Sequence, residues 1–429
     1  MSENAKRNEE EPKEKLWSGM FVLVILSTLC CFLMGQGLNS SVSVYVSLYG
    51  GTATYAGVLA AVFSGAAAVT RLASGPLIDE RGRRIVMLVG FAVLVAGTFG
   101  AVFTHDAVPF VAFRVLQGIG FSAVTTASGT AAADVLPKSR LGEGIGYYGL
   151  GQALAMTVGP ALALFLVSTD PAENLFWGLS AIGVAGFALC LFCRYEKHPE
   201  TLPASASYRK RAHEREGAEQ AAVSCDASRE EMPKESLASR VFERRALAGA
   251  LPLLVISPAF GFTIFFMGLY GTTIGVGNPG VFFTASAVSM VAIRLGAASL
   301  MDRIAPFTLL VGAAASGIAA FIMLLGCNTV LADAGGIRDA VFYVSGIFYG
   351  VCIGIAMPVN QSVAVKNTPP ERWGAANALF QLANDVGIGV ACIVWGIVND
   401  SLGFNATIVC VICCIMAAVA VARATYPRP

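Results

Sequence analysis

The sequence predicts an all-α membrane protein: twelve transmembrane helices arranged as two pseudo-symmetric six-helix bundles. Three observations predict it. Of the 429 residues, 55% are hydrophobic and only 13% are charged, whereas an ordinary soluble domain is roughly 25% charged. Long apolar runs recur along the chain, and twelve helices of ~20 residues would occupy ~240 positions, a share close to the hydrophobic fraction. Sequence blocks of the first half also return in the second. Such a composition excludes a soluble enzyme of this length. The net charge of +1 gives no whole-molecule field to attract nucleic acid, so no nucleic-acid partner is expected.

Taken in order, a polar tail of mixed charge (1–16) leads into apolar runs near 17–46, 55–74, 85–104, 107–133, 145–168 and 174–193. After a polar stretch come runs near 245–275, 280–300, 306–327, 339–364, 373–398 and 403–424. Long runs with few charges are the mark of membrane spans, and those longer than the bilayer must tilt or protrude. The expected units are a tail (1–16), a first bundle (17–195), a linker (196–243), a second bundle (244–425) and a short tail (426–429). No secretory signal is expected, because the first run lacks a small-residue cleavage site and reads as an anchor.

Lys and Arg set the orientation. With the N-terminus in the cytoplasm, 25 of the 29 basic residues fall in segments on the inside, Arg338 falls outside, and Arg71, Arg114 and Arg294 fall within spans. That bias predicts both termini in the cytoplasm and a place in the cell (inner) membrane. An odd number of spans would scramble it. Residues 196–243 change composition abruptly, mixing Arg209, Lys210 and Arg211 with Glu, Ser and Pro, as in a cytoplasmic tether. Ten of the eleven cysteines lie within spans or at their ends and read as small apolar fillers. No disulfide framework, metal site or cofactor is expected.

Arg71-Leu-Ala-Ser-Gly-Pro-Leu-Ile-Asp79 at the end of span 2 recurs as Arg294-Leu-Gly-Ala-Ala-Ser-Leu-Met-Asp302 at the end of span 8. Pro137-Lys-Ser-Arg140-Leu-Gly142 after span 4 recurs as Pro369-Pro-Glu-Arg372-Trp-Gly374 after span 10. Two halves repeated in the same orientation suit a transporter, since a midplane site between them opens to either side when they rock. A channel has no such requirement.

Residues within these blocks resemble signatures of the major facilitator superfamily. Gly75-Pro-Leu-Ile-Asp79-Glu80-Arg81-Gly82-Arg83-Arg84 is similar to the family's loop 2–3 signature, with Glu80 in place of the usual base. Arg114-Val-Leu-Gln117-Gly118-Ile-Gly120 is similar to its span 4 signature, and Gly159-Pro160 to part of the span 5 signature of its drug and metabolite antiporters. The resemblance implies a secondary active transporter working by alternating access. It also implies a latch, in which Asp79 accepts hydrogen bonds from the N-terminus of span 11, where the helix dipole favours a carboxylate. Arg83 and Arg84 would support it, with Arg83 bridging Asp79 to Asp134. Positive-inside anchoring is the plainer reading of these charges. In the second half Asp302 and Arg303 remain without the Gly-Arg-Arg tail, so a second latch there should be weaker.

Charges within a bilayer cost ~3 kcal/mol each on insertion scales, so embedded ionisable residues are functional candidates. Arg71, Arg114 and Arg294 are such residues, and Asp385 is the only carboxylate near the middle of a span. Arg114 is expected to bias a neighbouring carboxylate toward its charged form. Asn377, Gln381, Asn384 and Asp385 recur at i, i+4, i+7 and i+8 and share one stripe of span 11. Gln36 and Asn39 on span 1, Gln117 on span 4, Tyr148 and Gln152 on span 5, Arg294 on span 8, and Asn360 and Gln361 on span 10 join them as expected cavity residues. Asp385 is expected either to take up and release a proton, pairing with Arg71 when ionised, or to form a permanent structural bridge with Arg71. Many cation-exporting relatives carry an acid in span 1; Asn39 and Gln36 stand there in this chain, which disfavours strongly cationic substrates. Phe260, Phe262, Phe265, Phe266 and Tyr270 on span 7 suit either a hydrophobic substrate or simple packing.

Gly144-Ile-Gly146-Tyr-Tyr-Gly149 fits a dinucleotide motif but has no preceding strand. No phosphate-binding loop argues for an ATP-driven pump, and no catalytic constellation argues for an enzyme. Three functions stay open: proton-driven export of a small amphipathic or metabolite-like molecule, proton symport or facilitated import of a polar nutrient, and a transport-dead sensor or scaffold. The expected partners are a small-molecule substrate, protons and the lipid bilayer, and a monomer is the expected state.

Overall fold

The computed structural model describes residues 16–104, 107–137, 140–194, 196, 202, 209, 243–296, 304–369 and 373–426, with the backbone alone at a few helical positions that include Gly75, Asp79 and Arg294. The first six helices are α1 (Gly19–Leu48), α2 (Ala53–Arg81), α3 (Arg83–Gly100), α4 (Ala107–Val135), α5 (Leu141–Val167) and α6 (Asn174–Phe192). Beyond the linker come α7 (Leu247–Thr273), α8 (Gly280–Gly296), α9 (Pro306–Cys327) and α10 (Gly335–Lys366). The last helical stretch, Trp373–Thr425, breaks at Gly403 (φ 80°, ψ 174°) into α11 (373–402) and α12 (404–425). Only glycine adopts that backbone at little cost.

Ten described helices are long and apolar enough to cross a membrane; one of them contains the Gly403 break, and Gly280–Ile293 is a shorter apolar helix. Lipid offers no hydrogen bonds to backbone, so each span must satisfy its N–H and C=O groups internally. The polar side chains of α1 obey the same constraint. Ser27, Thr28, Ser40, Ser41 and Ser47 return their hydroxyls to carbonyls three or four residues back. Ser18 caps α1 by accepting from Phe21 N–H, and Thr52 caps α2 by accepting from Tyr55 N–H.

Within the first six helices α1 packs on α4, α5 and α6, while α4 packs on α2 and α3. Within the last six, α7 packs on α10 and on the α11–α12 pair, and α10 packs on α8 and α9. Among the described residues the main contacts between the two groups are α1 with α7, α5 with α8, and α2 with α11. The start of α1, the end of α6, the start of α7 and the end of α12 belong to one face, here the linker face; the opposite one is the distal face.

Small residues set how closely these helices approach, as is usual inside membranes. A Cβ on Gly159 would sit 2.9 Å from the Leu33 carbonyl oxygen, so α5 meets α1 backbone to backbone beside Pro160. The aromatic residues of α7 are buried among other rings: Phe262 lies against Phe266, Phe321 and Phe404, and the Tyr270 hydroxyl donates to the Leu324 carbonyl. They pack. The described cysteines are all free, and most are buried.

Candidate functional site: the seam between α2 and α11

The helices α2 and α11 run antiparallel along one seam between the two groups. A Cβ on Gly396 would sit 2.6 Å from the Ala53 carbonyl oxygen, one on Gly57 would collide with the Cys392 carbonyl oxygen, and one on Gly389 would touch Ser64. Farther toward the linker face, Arg71 Nε donates to Asp385 Oδ2 at 3.0 Å. Arg71 is ~15 Å along α2 from Arg81, at 1.5 Å per residue, which places the pair well inside the span. The two side chains are 16% and 17% exposed.

Arg114, on α4, is fully buried. Its Nη1 donates to Gln117 Oε1 at 2.8 Å, its Nη2 to Asn39 Oδ1 at 2.9 Å, and its Nε to the Leu59 carbonyl at 3.3 Å. The guanidinium carbon lies 4.5 Å from the centre of the Phe63 ring, a cation–π distance. Gln117 Nε2 donates onward to Gly97 O on α3. The neighbouring carboxylate expected from the sequence is not among these partners: Asn39 occupies its place.

Between α1 and α5 on one side and α7, α8 and α10 on the other lies a cavity of about 40 Å³, lined by Gln36, Pro160, Thr263, Ser286 and Tyr349 among others. A water needs roughly 10–15 Å³ of such space, so this cavity has room for a few waters. A substrate site usually needs several hundred Å³, more than this cavity offers.

The residues expected to share one cavity divide among several places. Gln36 lines the cavity, while Asn39 and Gln117 hold Arg114. Tyr148 is buried with its hydroxyl 3.0 Å from Ser128 Oγ, and Gln152 is half-buried one turn farther along α5. Asn360 is sealed inside the last six helices, donating to the Ala356 carbonyl and accepting from the Tyr426 hydroxyl at 2.9 Å. Gln361 donates to Asn377 at 2.9 Å, both exposed, and Asn384 accepts from Ser257 Oγ at 3.0 Å across to α7. Gln381 is half-buried between them. Arg294 is helical, but its side chain lies outside the described residues, as do Asp302 and Arg303.

The description of the Major Facilitator Superfamily matches this chain over residues 24–336 and 329–429. The chain belongs to the major facilitator superfamily. It is 21% identical over 392 residues to an uncharacterized MFS-type transporter of Methanocaldococcus jannaschii, covering 89% of this chain and 92% of that one. It is 23% identical over 401 residues to the staphylopine export protein of Staphylococcus aureus, covering 90% of each. With the multidrug resistance protein MdtL of Escherichia fergusonii it shares 23% identity over 334 residues, 76% of this chain and 75% of that one. Two crystal structures of nucleoside transporter NupG, one of them a mutant, superpose with TM-scores of 0.71 and 0.67 at 12% identity, each covering 95% of this chain. The protein is an integral membrane transporter of this superfamily and not an enzyme.

The superfamily's loop 2–3 signature takes a definite shape here. Gly82 (φ 89°) is the single residue between α2 and α3, a backbone that favours glycine. Arg83 folds back so that its Nε meets Asp134 Oδ2 at 2.8 Å, with the two side chains 1% and 2% exposed. Asp79 is helical, but its side chain falls outside the described residues, so the bridge from Arg83 is seen on the Asp134 side. Glu196, just beyond α6, accepts from the backbone N–H groups of Arg83 and Arg84 and caps α3. Burial raises the Glu196 carboxyl pKa, while those N–H groups oppose the rise. Arg84 Nη2 donates to the Leu191 carbonyl at 3.0 Å, tying the same corner to α6. Because removing one partner of a buried pair leaves a stranded charge, Arg83→Ala is expected to destabilise the protein by about 3–5 kcal/mol. Thermal unfolding in detergent checks this; an unchanged midpoint contradicts it.

At the distal face Asp400, in the last turn of α11, accepts from Ala53 N–H at 3.0 Å and Thr54 N–H at 2.7 Å, the first N–H groups of α2. Ser43 Oγ donates to the Phe265 carbonyl at 2.6 Å and joins α1 to α7. Sequence reading missed Asp400. Its one signal was an acid at a helix C-terminus, where the dipole disfavours negative charge and a partner elsewhere is implied. Asp400→Ala is expected to loosen distal closure, read as faster labelling of a cysteine placed at position 54; unchanged labelling contradicts it.

Proposed function

We propose that this transporter exports a small amphipathic or metabolite-like molecule in exchange for protons by alternating access, with Asp385 as the group that carries the proton. The observation that carries this reading is the Arg71–Asp385 bridge, which spans the moving seam deep inside the membrane. While the distal ends of α2 and α11 are joined, the Arg71 guanidinium lies 3.0 Å from the Asp385 carboxylate and favours its charged form. Separation of α2 from α11 at the depth of the pair removes that partner, and a carboxyl left there without its cation favours the protonated form. Closing the seam restores Arg71 and releases the proton. The linker face is assigned to the cytoplasm from the distribution of Lys and Arg. Relatives named for staphylopine export and multidrug resistance support the outward direction.

A second reading, proton symport or facilitated import of a polar nutrient, draws on the neutral amide and hydroxyl lining of Gln36, Thr263 and Ser286. Inside-out vesicles supplied with a metabolite extract separate the two. Export predicts that an acid lumen drives accumulation of at least one compound, measured by mass spectrometry, and that Asp385→Asn abolishes the effect. Acid-driven release of preloaded compound favours symport, and transport indifferent to pH contradicts proton coupling.

A further inference from the structure

We infer that the transported molecule is a small organic anion, bearing a carboxylate or phosphate, because the protein buries a guanidinium with no carboxylate among its described partners. This rests on the export reading and narrows its substrate. Arg114 is fully buried, and every partner it has among the described residues is neutral: Asn39, Gln117, the Leu59 carbonyl and the Phe63 ring. A buried charge is normally paired with its opposite, and a lone cation inside a bilayer is retained at substantial cost only where it does something. The other embedded pair, Arg71 with Asp385, is neutral as a pair. When Asp385 takes its proton, Arg71 adds a second unbalanced positive charge. The described centre therefore alternates between one and two net positive charges and is never negative.

Arg114 is linked to the cavity wall through α1. Gln36 lines the cavity, and Asn39, one helical turn along α1, accepts a hydrogen bond from Arg114 Nη2. With low-dielectric surroundings the potential of Arg114 reaches the cavity with little screening. That potential draws an anion and repels a cation. It also gives the amide at position 39 a purpose: a carboxylate there would cancel the field.

The test measures the cavity's potential directly and needs neither an identified substrate nor proton coupling. Cysteine is placed at Gln36 (Gln36→Cys), and its reaction rates with the anionic sulfonatoethyl and the cationic trimethylammonioethyl methanethiosulfonate are read by mass spectrometry of that position. The ratio of rates is compared in three backgrounds: Gln36→Cys alone, with Arg114→Gln, and with Asn39→Asp. The inference expects the anionic reagent to be favoured in the first, relative to free cysteine, and the ratio to fall by about tenfold in the other two. Asn39→Asp keeps the bond to Arg114, so it decides the matter should Arg114→Gln fail to fold. Ratios agreeing within about twofold across the backgrounds, where tenfold is expected for one added or removed charge, overturn the inference. A preference for the cationic reagent in Gln36→Cys alone overturns it as well. Loss of proton coupling in a transport assay, with this charge preference intact, would fell the export reading and leave the cavity's charge standing.

Discussion

Asp385→Asn is expected to reduce pH-gradient-driven transport to background while the protein folds and inserts at its normal level. The substitution keeps the size and hydrogen-bonding capacity of the side chain, so Arg71 Nε still has an oxygen to donate to. What disappears is the ability to alternate between a charged and a neutral form. In the ionised state the pair gains from its 3.0 Å contact, and in the open state a proton substitutes for the guanidinium; asparagine offers one state to both. The cycle then has no step at which a proton gradient does work. Exchange of substrate down its own gradient should survive, since no carboxylate is required for the halves to rock. Full coupling in Asp385→Asn would make the pair a structural bridge, the plainer of the two readings open at the level of sequence. Arg71→Gln should act differently: with no guanidinium to favour the charged form of Asp385 in the closed state, coupling would fail from the opposite side.

Gly57→Val is expected to have the second large effect. A Cβ at Gly57 collides with the Cys392 carbonyl oxygen, and backbone cannot move aside as a side-chain tip can. Two further methyl groups worsen the clash. The distal ends of α2 and α11 could then no longer meet, the Asp400 cap on α2 would be lost, and the protein should rest in a distal-open arrangement. Distances between spin labels at positions 54 and 398 should lengthen in this variant, and transport should stop. Unchanged distances would mean that α2 and α11 absorb a side chain at this point, and that close approach does not set the closed state.

Much of the fold was legible in the sequence because the bilayer imposes it. Apolar length marks spans, and breaks such as Gly82 and Gly403 are glycines at turns. The polar stripe of α11 was legible for the same reason: Asn377, Gln381, Asn384 and Asp385 follow a helical period that lipid would not tolerate outward. Its partners were less so. Asn360 and Tyr148 sit on helices with the right spacing, yet each is satisfied inside its own group of helices, by Tyr426 and Ser128. An amide facing a cavity and one facing a buried tyrosine look alike in one dimension. Glu196 and Asp400 escaped notice because they act on backbone N–H groups of distant helices, and an N–H group leaves no letter in the sequence. The role of Asn39 emerged only once Arg114 was seen beside it.

The central claim is that Asp385 is ionised while the seam is closed and protonated once it opens. Infrared difference spectroscopy measures this directly, since a protonated carboxyl has a carbonyl band that a carboxylate lacks, and Asp385→Asn identifies the band by removing it. At neutral pH the wild-type protein, with Arg71 bound to Asp385, is expected to show no such band from Asp385, and Gly57→Val is expected to show it. An Asp385 that remains ionised in both proteins, with the distal face demonstrably open in the variant, would contradict the account.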